Sequence, residues 1–384
     1  MAHAYIVDAL RTPGGRRKGA LAGVHAADLG AIVLDALVAR TGIDPAAIED
    51  VIVGCVSQAG EQAFAFGRNM VLASSLPDSI PAVTIDRQCG SSQQALHFAA
   101  QAIMSGTQDV VIAAGAESMT RVPMGSNFRL HAEAGIGEGP WSKAILDRYE
   151  VAEFSQFTGA QMVADKYGLT RGAMDAYALQ SHQRAAAATA SGAFADEIVP
   201  VGTHAHDEGI RADATLEGIG SVKTIAEGGT ITAANASQIT DGASATLIVS
   251  EAALKTYGLT PLARIHTLTV SAGDPVIMLE EPIPATAKAL QRAGLSIDDI
   301  DLFEVNEAFA AIPMAWLKAT GVDPARLNVN GGAIALGHPL GASGTKLMAT
   351  LVHALKARGG RYGLQTMCEG GGMANVTIVE MLNR

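Results

Sequence analysis

The stretch LNVNGGAIALGHPLGASG, residues 327–344, with the helix-like segment TKLMATLVHALK and then YGLQTMCEGGG (362–372) behind it, decides the fold. An apolar segment opens into a glycine-rich turn, continues as a helix with apolar residues at helical spacing, and ends in a second apolar segment. The same order occurs earlier, where AVTIDRQ (82–88) opens into a helix from Cys89 that is followed by DVVIAAGAESM (109–119). The chain therefore repeats one structural unit.

The repeat reaches the start of each half, because the strand AYIVDA (4–9) is answered by ARIHTLTV (263–270). Strands rich in Val, Ile and Ala that alternate with helices predict mixed sheets covered by helices on both faces, an α/β layered fold. Between residues 120 and 233 the pattern loosens into polar turns and one long helical stretch from Ala160 to Ala190. This segment is either surface decoration or an inserted loop domain that covers or builds a site, and insertions of this size usually do the latter.

Bulk composition limits the class of protein. With 384 residues, the chain is too long for one ordinary core, so two or three packed domains are expected. A net charge of -11 disfavours nucleic acid and anionic membranes as partners. The first residues, MAHAYIVDALRTPGG, are typical of a strand and turn rather than a targeting peptide, and we expect a soluble, cytoplasmic protein. Three cysteines without a CxxC pair indicate neither disulfides nor zinc.

Three reactive side chains lie in glycine- or serine-rich turns: Cys89 in QCGSSQQALH, His338 in GGAIALGHPLGASG and Cys368 in TMCEGGGMAN. A cysteine thiolate is a strong nucleophile, histidine can take its proton, and a second cysteine can shuttle another proton. Two cysteines with one histidine suit thioester exchange better than hydrolysis. Cys89 falls where a strand ends and a helix begins, a position where the helix dipole favours a thiolate.

Each of these residues also has a plain structural interpretation. A free cysteine is usually a small buried apolar residue, and Cys55 in VIVGCV is best explained in that way. His204 and His206 lack partners for a metal site. Asn306 in VNEAFA lies at a strand-to-helix junction, where an N-cap is the alternative to a role in chemistry. The glycines after Cys368 form either a tight turn or a set of backbone amides that converge on a substrate carbonyl oxygen.

The chain resembles the thiolase family from end to end in the sequence and order of four segments: TAANASQITDGAS (232–244), NEAF, GHPLGASG and the CEGGG turn. The resemblance implies a five-layered αβαβα fold of two duplicated halves with an inserted loop domain. We predict an N-terminal half at 1–119, to which 234–260 returns, an inserted domain that holds coenzyme A at 120–233, and a C-terminal half at 261–384.

The resemblance also implies roles for individual residues. Cys89 is the nucleophile, His338 its base and Cys368 the acid/base at the acetyl α-carbon. Asn306 holds a water that forms one oxyanion hole with His338, and the backbone of Cys89 and Gly370 forms another. The residues implied to bind substrate and coenzyme A are Ser237, Ala233, Ala308 and Phe309 in the pantetheine channel, Met278 in the acyl pocket, and Arg211 at the nucleotide end.

Two positions depart from the family pattern. Glu369 replaces a common isoleucine, and its carboxylate would disfavour the neighbouring thiolate if it faced inward and matter little if it faced outward. Ser155, Gln156 and Phe157 stand where many short-chain members carry His-Met-Gly, which argues against strict acetoacetyl specificity. Met278, by contrast, matches the short-chain enzymes.

The expected activity is reversible acyl transfer between a 3-ketoacyl-CoA and coenzyme A through an acyl-cysteine, in fatty acid β-oxidation or in acetyl-CoA condensation. Coenzyme A is a substrate, and no permanently bound cofactor or metal is expected. The alternatives are a decarboxylating ketoacyl synthase, a cysteine hydrolase and a non-catalytic acyl-CoA-binding subunit. The resemblance further implies a homodimer, or a homotetramer joined by loops such as MGSNFRLHAEAG (124–135).

Overall fold

Two sheets and the helices around them make up the chain, which is described over residues 2–382 of a computed structural model. The strands are β1 (Ala4–Arg11), β2 (Gly15–Arg16), β3 (Asp50–Gly54), β4 (Ala82–Ile85), β5 (Val110–Ser118), β6 (Thr240–Ser250), β7 (Ala263–Ala272), β8 (Leu302–Val305), β9 (Tyr362–Glu369) and β10 (Met373–Met381). The helices are α1 (Ala26–Thr41), α2 (Phe66–Ala73), α3 (Ser91–Ser105), α4 (Ser126–Glu133), α5 (Lys143–Tyr149), α6 (Gln156–Lys166), α7 (Arg171–Ala190), α8 (Leu216–Gly220), α9 (Glu251–Tyr257), α10 (Pro282–Ala293), α11 (Ala311–Thr320), α12 (Ala333–Leu336) and α13 (Ser343–Arg358).

The strand order of the two halves confirms the repeat. The ten strands form one continuous path, in which the sheet of the first half runs β4-β3-β5-β6-β1, with β2 paired to β6, and the sheet of the second half continues as β7-β10-β9-β8. In each, one strand near the end of the half is antiparallel to its neighbours: β6 against β5 and β1, and β10 against β9 and β7. The strand expected at LNVN shrinks to a parallel bridge between Phe303 and Leu327. The two sheets join where Tyr5 and Ile6 pair with Arg264 and Ala263.

Three helical layers enclose the sheets and give the αβαβα order. Helices α1 and α2 pack on the outer face of the first sheet, and α10 and α11 pack on the outer face of the second. Helices α3 and α13 lie between the sheets, where Leu96 and Leu351 share one core with strands of both halves. A helix between two sheets has no water-facing stripe, and α13 is accordingly buried from Ser343 to Leu355. The five-layered prediction is confirmed.

The segment between β5 and β6 forms helices and turns that pack beside the second half. Its expected single helical stretch is wrong, because α6 ends at Lys166 and α7 begins at Arg171. Gly168 between them has a left-handed φ of +61°, and the Thr170 side chain caps α7 by accepting from the N–H of Ala173. Within residues 2–382 no helix is both long and apolar enough to cross a bilayer.

Candidate active site

Cys89 sits on a sharp turn between β4 and α3. Gln88, just before it, has a left-handed φ of +50°, a conformation that costs a non-glycine residue about 1–3 kcal/mol. Side chains on both sides hold this turn: Asp86 accepts from the N–H of Gln88 at 2.7 Å, and the Ser91 hydroxyl donates to the Gln88 carbonyl at 2.6 Å. Ser91 also accepts from the N–H of Arg87 at 2.9 Å. The local sequence therefore fixes the thiol at the N-terminus of α3.

The Cys89 side chain is enclosed by apolar groups. It is 8% exposed and clusters with Val56, Met119, Leu340 and Met367. Burial raises the pKa of the thiol to about 12, and a charge on Glu369, whenever that carboxyl is ionised, acts in the same direction. This effect of burial opposes that of the helix N-terminus, which was expected to favour a thiolate. Cys89 is a thiol in the resting protein, and attack requires a base.

His338 has the properties of that base. Its Nδ1 lies 2.5 Å from the Ser343 hydroxyl, and that hydroxyl donates to the Pro339 carbonyl at 2.8 Å. Because a serine has one proton to give, Ser343 accepts from Nδ1–H, which assigns the tautomer with a lone pair on Nε2. Burial, followed by the charge of Lys346, lowers the pKa of the imidazole to about 3. His338 is therefore neutral at pH 7 and can accept a proton at Nε2.

Asn306 is paired with this nitrogen rather than with a helix. Its Nδ2 donates to Nε2 of His338 at 3.3 Å, and its main-chain N–H donates to the Thr366 carbonyl at 3.1 Å. The following helix, α11, begins five residues later with Ala310 at its N-cap, so the N-cap alternative is wrong. Among residues 2–382, Nδ2 of Asn306 makes no second hydrogen bond, and its Oδ1 is buried without a partner.

Cys368 comes from the other half and meets the Cys89 turn. It is the penultimate residue of β9 and fully buried, and a Cβ placed on Gly370 would stand 3.0 Å from Oε1 of Gln88. The pKa of the Cys368 thiol is raised by burial, then by the charge of Cys89 and then by that of Glu369. The two thiols are therefore close enough to influence each other's ionisation. Glu369 faces inward, as its zero exposure shows. Of the two expected cases, the one that applies is therefore that in which an ionised carboxylate would disfavour the neighbouring thiolate.

The residues predicted to bind substrate fall into two groups. Met278, Ala308 and Phe309 lie in one buried cluster that also contains Cys368. Ser237 is tied to this cluster, because its N–H donates to the Ala308 carbonyl at 2.9 Å. The remaining two residues, Ala233 and Arg211, are exposed and lie outside that cluster. The N–H of Arg211 donates to Nδ1 of His182 on α7 at 3.2 Å.

Two buried groups that support the His338 loop were not singled out from the sequence. Glu117, at the end of β5, accepts from the N–H groups of Val56 and Ser57 at 2.9 Å and of Gly341 at 2.8 Å. Lys346 donates from Nζ to the carbonyls of Leu336 and Gly337 at 2.6 and 2.8 Å, just before His338. Lys346 lies two residues beyond the GHPLGASG motif, and that proximity was the available signal.

A third supporting group is Glu307, whose position inside VNEAFA was the available signal. It accepts from Ser181 and Tyr177 of α7 at 2.6 and 3.0 Å, from Asn328 at 3.0 Å and from the N–H of Ile334 at 3.1 Å. The inserted segment is in this way connected to the loop that carries His338.

The residues that the structure describes contain no recognisable metal site. Within residues 2–382 no group of three or more His, Cys, Asp and Glu side chains is placed to hold a metal ion. His204 lies 3.4 Å from the Gly14 carbonyl instead. Cys55 is fully buried in the core of the first half, as expected for a packing residue.

Comparison with known proteins agrees with this geometry. The thiolase N-terminal domain family matches residues 4–252 and the thiolase C-terminal domain family matches residues 259–381. A steroid 3-ketoacyl-CoA thiolase, FadA6 of Mycobacterium tuberculosis, is 53% identical over 100% of this chain and 95% of its own length. A 3-ketoacyl-CoA thiolase of Aliivibrio fischeri is 42% identical over 99% of this chain and 100% of its own.

Two solved structures have the same fold. Human mitochondrial 3-ketoacyl-CoA thiolase in complex with CoA is 37% identical, with a TM-score of 0.88 over 99% of this chain and 98% of that one. The Bacillus anthracis acetyl-CoA acetyltransferase is 35% identical, with a TM-score of 0.91 over 100% of this chain and 99% of that one.

A thiol with a neutral imidazole base, beside a second thiol from the other half, defines an acyl-transfer enzyme. The chain belongs to the thiolase family. It is an acyltransferase that carries out thiolytic acyl transfer. The comparisons give no support to a decarboxylating synthase or to a non-catalytic subunit.

Proposed function

We propose that this thiolase cleaves a 3-ketoacyl-CoA with coenzyme A through an acyl group carried on Cys89. The observation that carries the proposal is the fixed tautomer of His338, which places the lone pair of a neutral imidazole on Nε2, the nitrogen that Asn306 also contacts. Cys368, in the turn that packs on the Cys89 turn, supplies a second thiol for proton transfer.

The first half-reaction forms the acyl-enzyme. Cys89 gives its proton to Nε2 of His338 while its sulfur bonds to the 3-keto carbon, and the oxyanion that forms is stabilised by the imidazolium and Asn306. The bond between C2 and C3 then breaks, the carbonyl reforms as a thioester on Cys89, and Cys368 gives its proton to C2. Acetyl-CoA leaves, the broken C2–C3 bond having been replaced by the new bond from C3 to sulfur and the new C2–H bond, and Cys368 remains as a thiolate.

The second half-reaction releases the acyl group. The Cys368 thiolate takes the proton of an incoming coenzyme A thiol, whose sulfur attacks the acyl-Cys89 thioester. The backbone amides of Cys89 and Gly370 donate to the second oxyanion. The Cys89 sulfur leaves and recovers its proton from His338, which restores the resting state.

We assign the cleft beside Phe309 to the substrate, with Ser237, Ala308 and Met278 along the pantetheine arm, Ala233 at its entrance and Arg211 toward the nucleotide. The inserted segment 120–233, set between an N-terminal half (1–119 with 234–260) and a C-terminal half (261–384), covers this cleft. Phe157 of that segment stacks edge-on against Phe309 with ring centroids 5.6 Å apart. The human relative was solved with CoA bound, which supports coenzyme A as the ligand.

The acyl group is proposed to be larger than acetoacetyl. Phe157 lies where short-chain members carry glycine and is still 39% exposed, so it offers an apolar face to a bulky group. The Mycobacterium tuberculosis relative is named as a thiolase of steroid 3-ketoacyl-CoA. In a direct comparison, kcat/KM for a long-chain or ring-bearing 3-ketoacyl-CoA should exceed that for acetoacetyl-CoA by about tenfold, or about 1.4 kcal/mol of transition-state binding.

Trapping of the intermediate tests the chemistry. After mixing with an acyl-CoA, mass spectrometry should find the acyl group on the Cys89 peptide, and thiolysis should be ping-pong. Cys89→Ser should lose the adduct and the activity, whereas Cys55→Ser, the same change at a buried thiol of the core, should keep both. An adduct on Cys368, or normal turnover by Cys89→Ser, would contradict the assignment.

A homodimer or homotetramer in the cytoplasm is also part of the proposal. Large apolar side chains remain exposed on the single chain, with Phe64 at 90% and Val83 of the edge strand β4 at 45%. Light scattering of the purified protein and fractionation of cells test the two statements, and a monomer or a membrane-bound pool would contradict them.

A further inference from the structure

Glu369 is a carboxyl group in an unusual position. It follows Cys368 at the end of β9, is 0% exposed, and has no hydrogen-bond partner for either Oε1 or Oε2 among residues 2–382. The main-chain N–H of Asn375 lies near enough to act on the carboxyl without meeting hydrogen-bond geometry. An ionised carboxylate in such a place would carry the full cost of desolvation.

A second buried acceptor oxygen lies beside the same glycine as the carboxyl of Glu369. A Cβ placed on Gly90, the N-cap residue of α3, would stand 1.9 Å from Oε1 of Glu369 and 3.0 Å from Oδ1 of Asn375. The Asn375 Oδ1 is also buried without a partner, while its Nδ2 donates to Oε1 of Gln94 at 3.2 Å. Two acceptor oxygens beside the same small volume repel one another, and a proton on the carboxyl converts that repulsion into a hydrogen bond.

We propose that Glu369 is held as a neutral carboxylic acid whose hydroxyl donates to Oδ1 of Asn375, and that it is a positioning residue whose ionisation suppresses the Cys89 thiolate. The bond closes a buried polar network, because Asn375 and Thr377 of β10 contact Gln94 and His97 of α3. This network ties the C-terminal sheet to the helix that presents Cys89. The inference extends the proposed function, since it concerns the thiol assigned there as the nucleophile.

The charges around the carboxyl determine what ionisation would do. Arg87 acts favourably on a carboxylate here but forms no ion pair with it, and its Nη1 contacts the sulfur of Met373 at 3.7 Å. A negative charge on Glu369 raises the pKa of both thiols, Cys89 and Cys368. His97 across the network is neutral, with a pKa of about 3. Burial raises the pKa of Glu369 itself, in the direction that a neutral acid requires.

The test compares alkylation of Cys89 in the full-length wild type and in Glu369→Gln, which keeps a neutral donor toward Asn375. Iodoacetamide labelling of the Cys89 peptide is followed by mass spectrometry from about pH 6 to about pH 10. Near pH 7 the two rates should agree within about twofold. At higher pH the wild-type rate should fall behind Glu369→Gln by about tenfold, as the carboxyl ionises and raises the thiol pKa by about one unit.

Two results of this experiment would overturn the proposal. If Glu369→Gln is already about tenfold faster near pH 7, the carboxyl is ionised in the resting protein, for example paired with Arg87. If the two profiles coincide at every pH, Glu369 carries no charge that reaches Cys89.

A second readout covers the case in which Glu369→Gln folds poorly. Infrared difference spectra of wild type minus Glu369→Ile, the residue common in related turns, should show the C=O stretch of a protonated carboxylic acid at neutral pH. A carboxylate band in its place would overturn the proposal. Neither measurement requires turnover, so failure of the acyl-Cys89 assignment and failure of this inference are distinguishable.

Discussion

Replacing Ser343 by alanine should remove the base while leaving the nucleophile in place. In the wild type, the Ser343 hydroxyl accepts from Nδ1 of His338 at 2.5 Å and donates to the Pro339 carbonyl at 2.8 Å. Without it, Nδ1 has no acceptor to hold its proton, whereas Nε2 can donate to Asn306 if that amide turns its oxygen toward the ring. Ser343→Ala therefore favours the tautomer that cannot accept a proton from Cys89.

The magnitude follows from the bonds that are lost. A buried hydrogen-bonding group left without a partner costs about 1–3 kcal/mol, and this cost falls on the tautomer that serves as the base. Each 1.4 kcal/mol is about tenfold in population, so we expect kcat for thiolysis to fall by about 10- to 100-fold. KM for the CoA thioester should change little, because Ser343 touches neither the Phe309 cluster nor Ser237.

The matched control is Ser92→Ala, which removes another fully buried hydroxyl without touching the imidazole. Ser92 accepts from the N–H of Thr345 at 3.0 Å. Steady-state thiolysis and nitrogen NMR of labelled histidine measure rate and tautomer together. The reasoning fails if Ser343→Ala keeps the wild-type rate, or if Ser92→Ala loses as much activity with the His338 tautomer unchanged.

Three further predictions concern buried groups. Burial lowers the pKa of His97 from 6.5 to about 3, so below pH 6.5 the unfolded chain binds a proton at this side chain that the folded protein does not, and the folded state becomes less stable. Between pH 7 and pH 5, urea denaturation should show the free energy of unfolding of the wild type falling by about 2 kcal/mol relative to that of His97→Gln. A constant difference between the two proteins would contradict this. Lys346→Met leaves two buried carbonyls before His338 without a hydrogen bond, and it should lower the free energy of unfolding by about 2–5 kcal/mol. It should also lower kcat. Unchanged denaturation and kinetics would count against the support that Lys346 gives to the His338 loop. At Gly341 a Cβ would stand 2.5 Å from Cα of Cys55, whereas at Gly172 on α7 it would enter open space. Gly172→Ala should therefore stabilise the protein by about 0.5–1 kcal/mol, and Gly341→Ala should destabilise it by several times that amount. Equal melting temperatures of the two variants would be the contrary result.

The duplicated layers were predictable because they depend on local patterns. Apolar strands such as AYIVDA and ARIHTLTV and the helices after them carry their own periodicity, and similar patterns fold in similar ways. The reactive residues were predictable for a related reason. Cys89, His338 and Cys368 lie in turns rich in glycine or serine, where packing alone does not explain the side chain.

The details of the insertion were less accessible. The break between α6 and α7 has a local signal that the sequence analysis missed, since Gly168 at positive φ ends the first helix and the Thr170 side chain caps the second. Ala233 and Arg211 were predicted from resemblance alone, and the structure leaves both exposed and outside the Phe309 cluster.

By itself, the amino-acid sequence determined the α/β class and the internal repeat, and it pointed to the three side chains that we propose do the chemistry, because periodicity and turn composition are local properties. Only the tertiary structure decided their ionisation. The resting thiol of Cys89 and the inward carboxyl of Glu369 depend on burial and on groups from the other half, and the lowered pKa of His338 depends on burial, whereas its tautomer is set by Ser343, five residues on. Desolvation and charge act through space, so a linear pattern contains no measure of either.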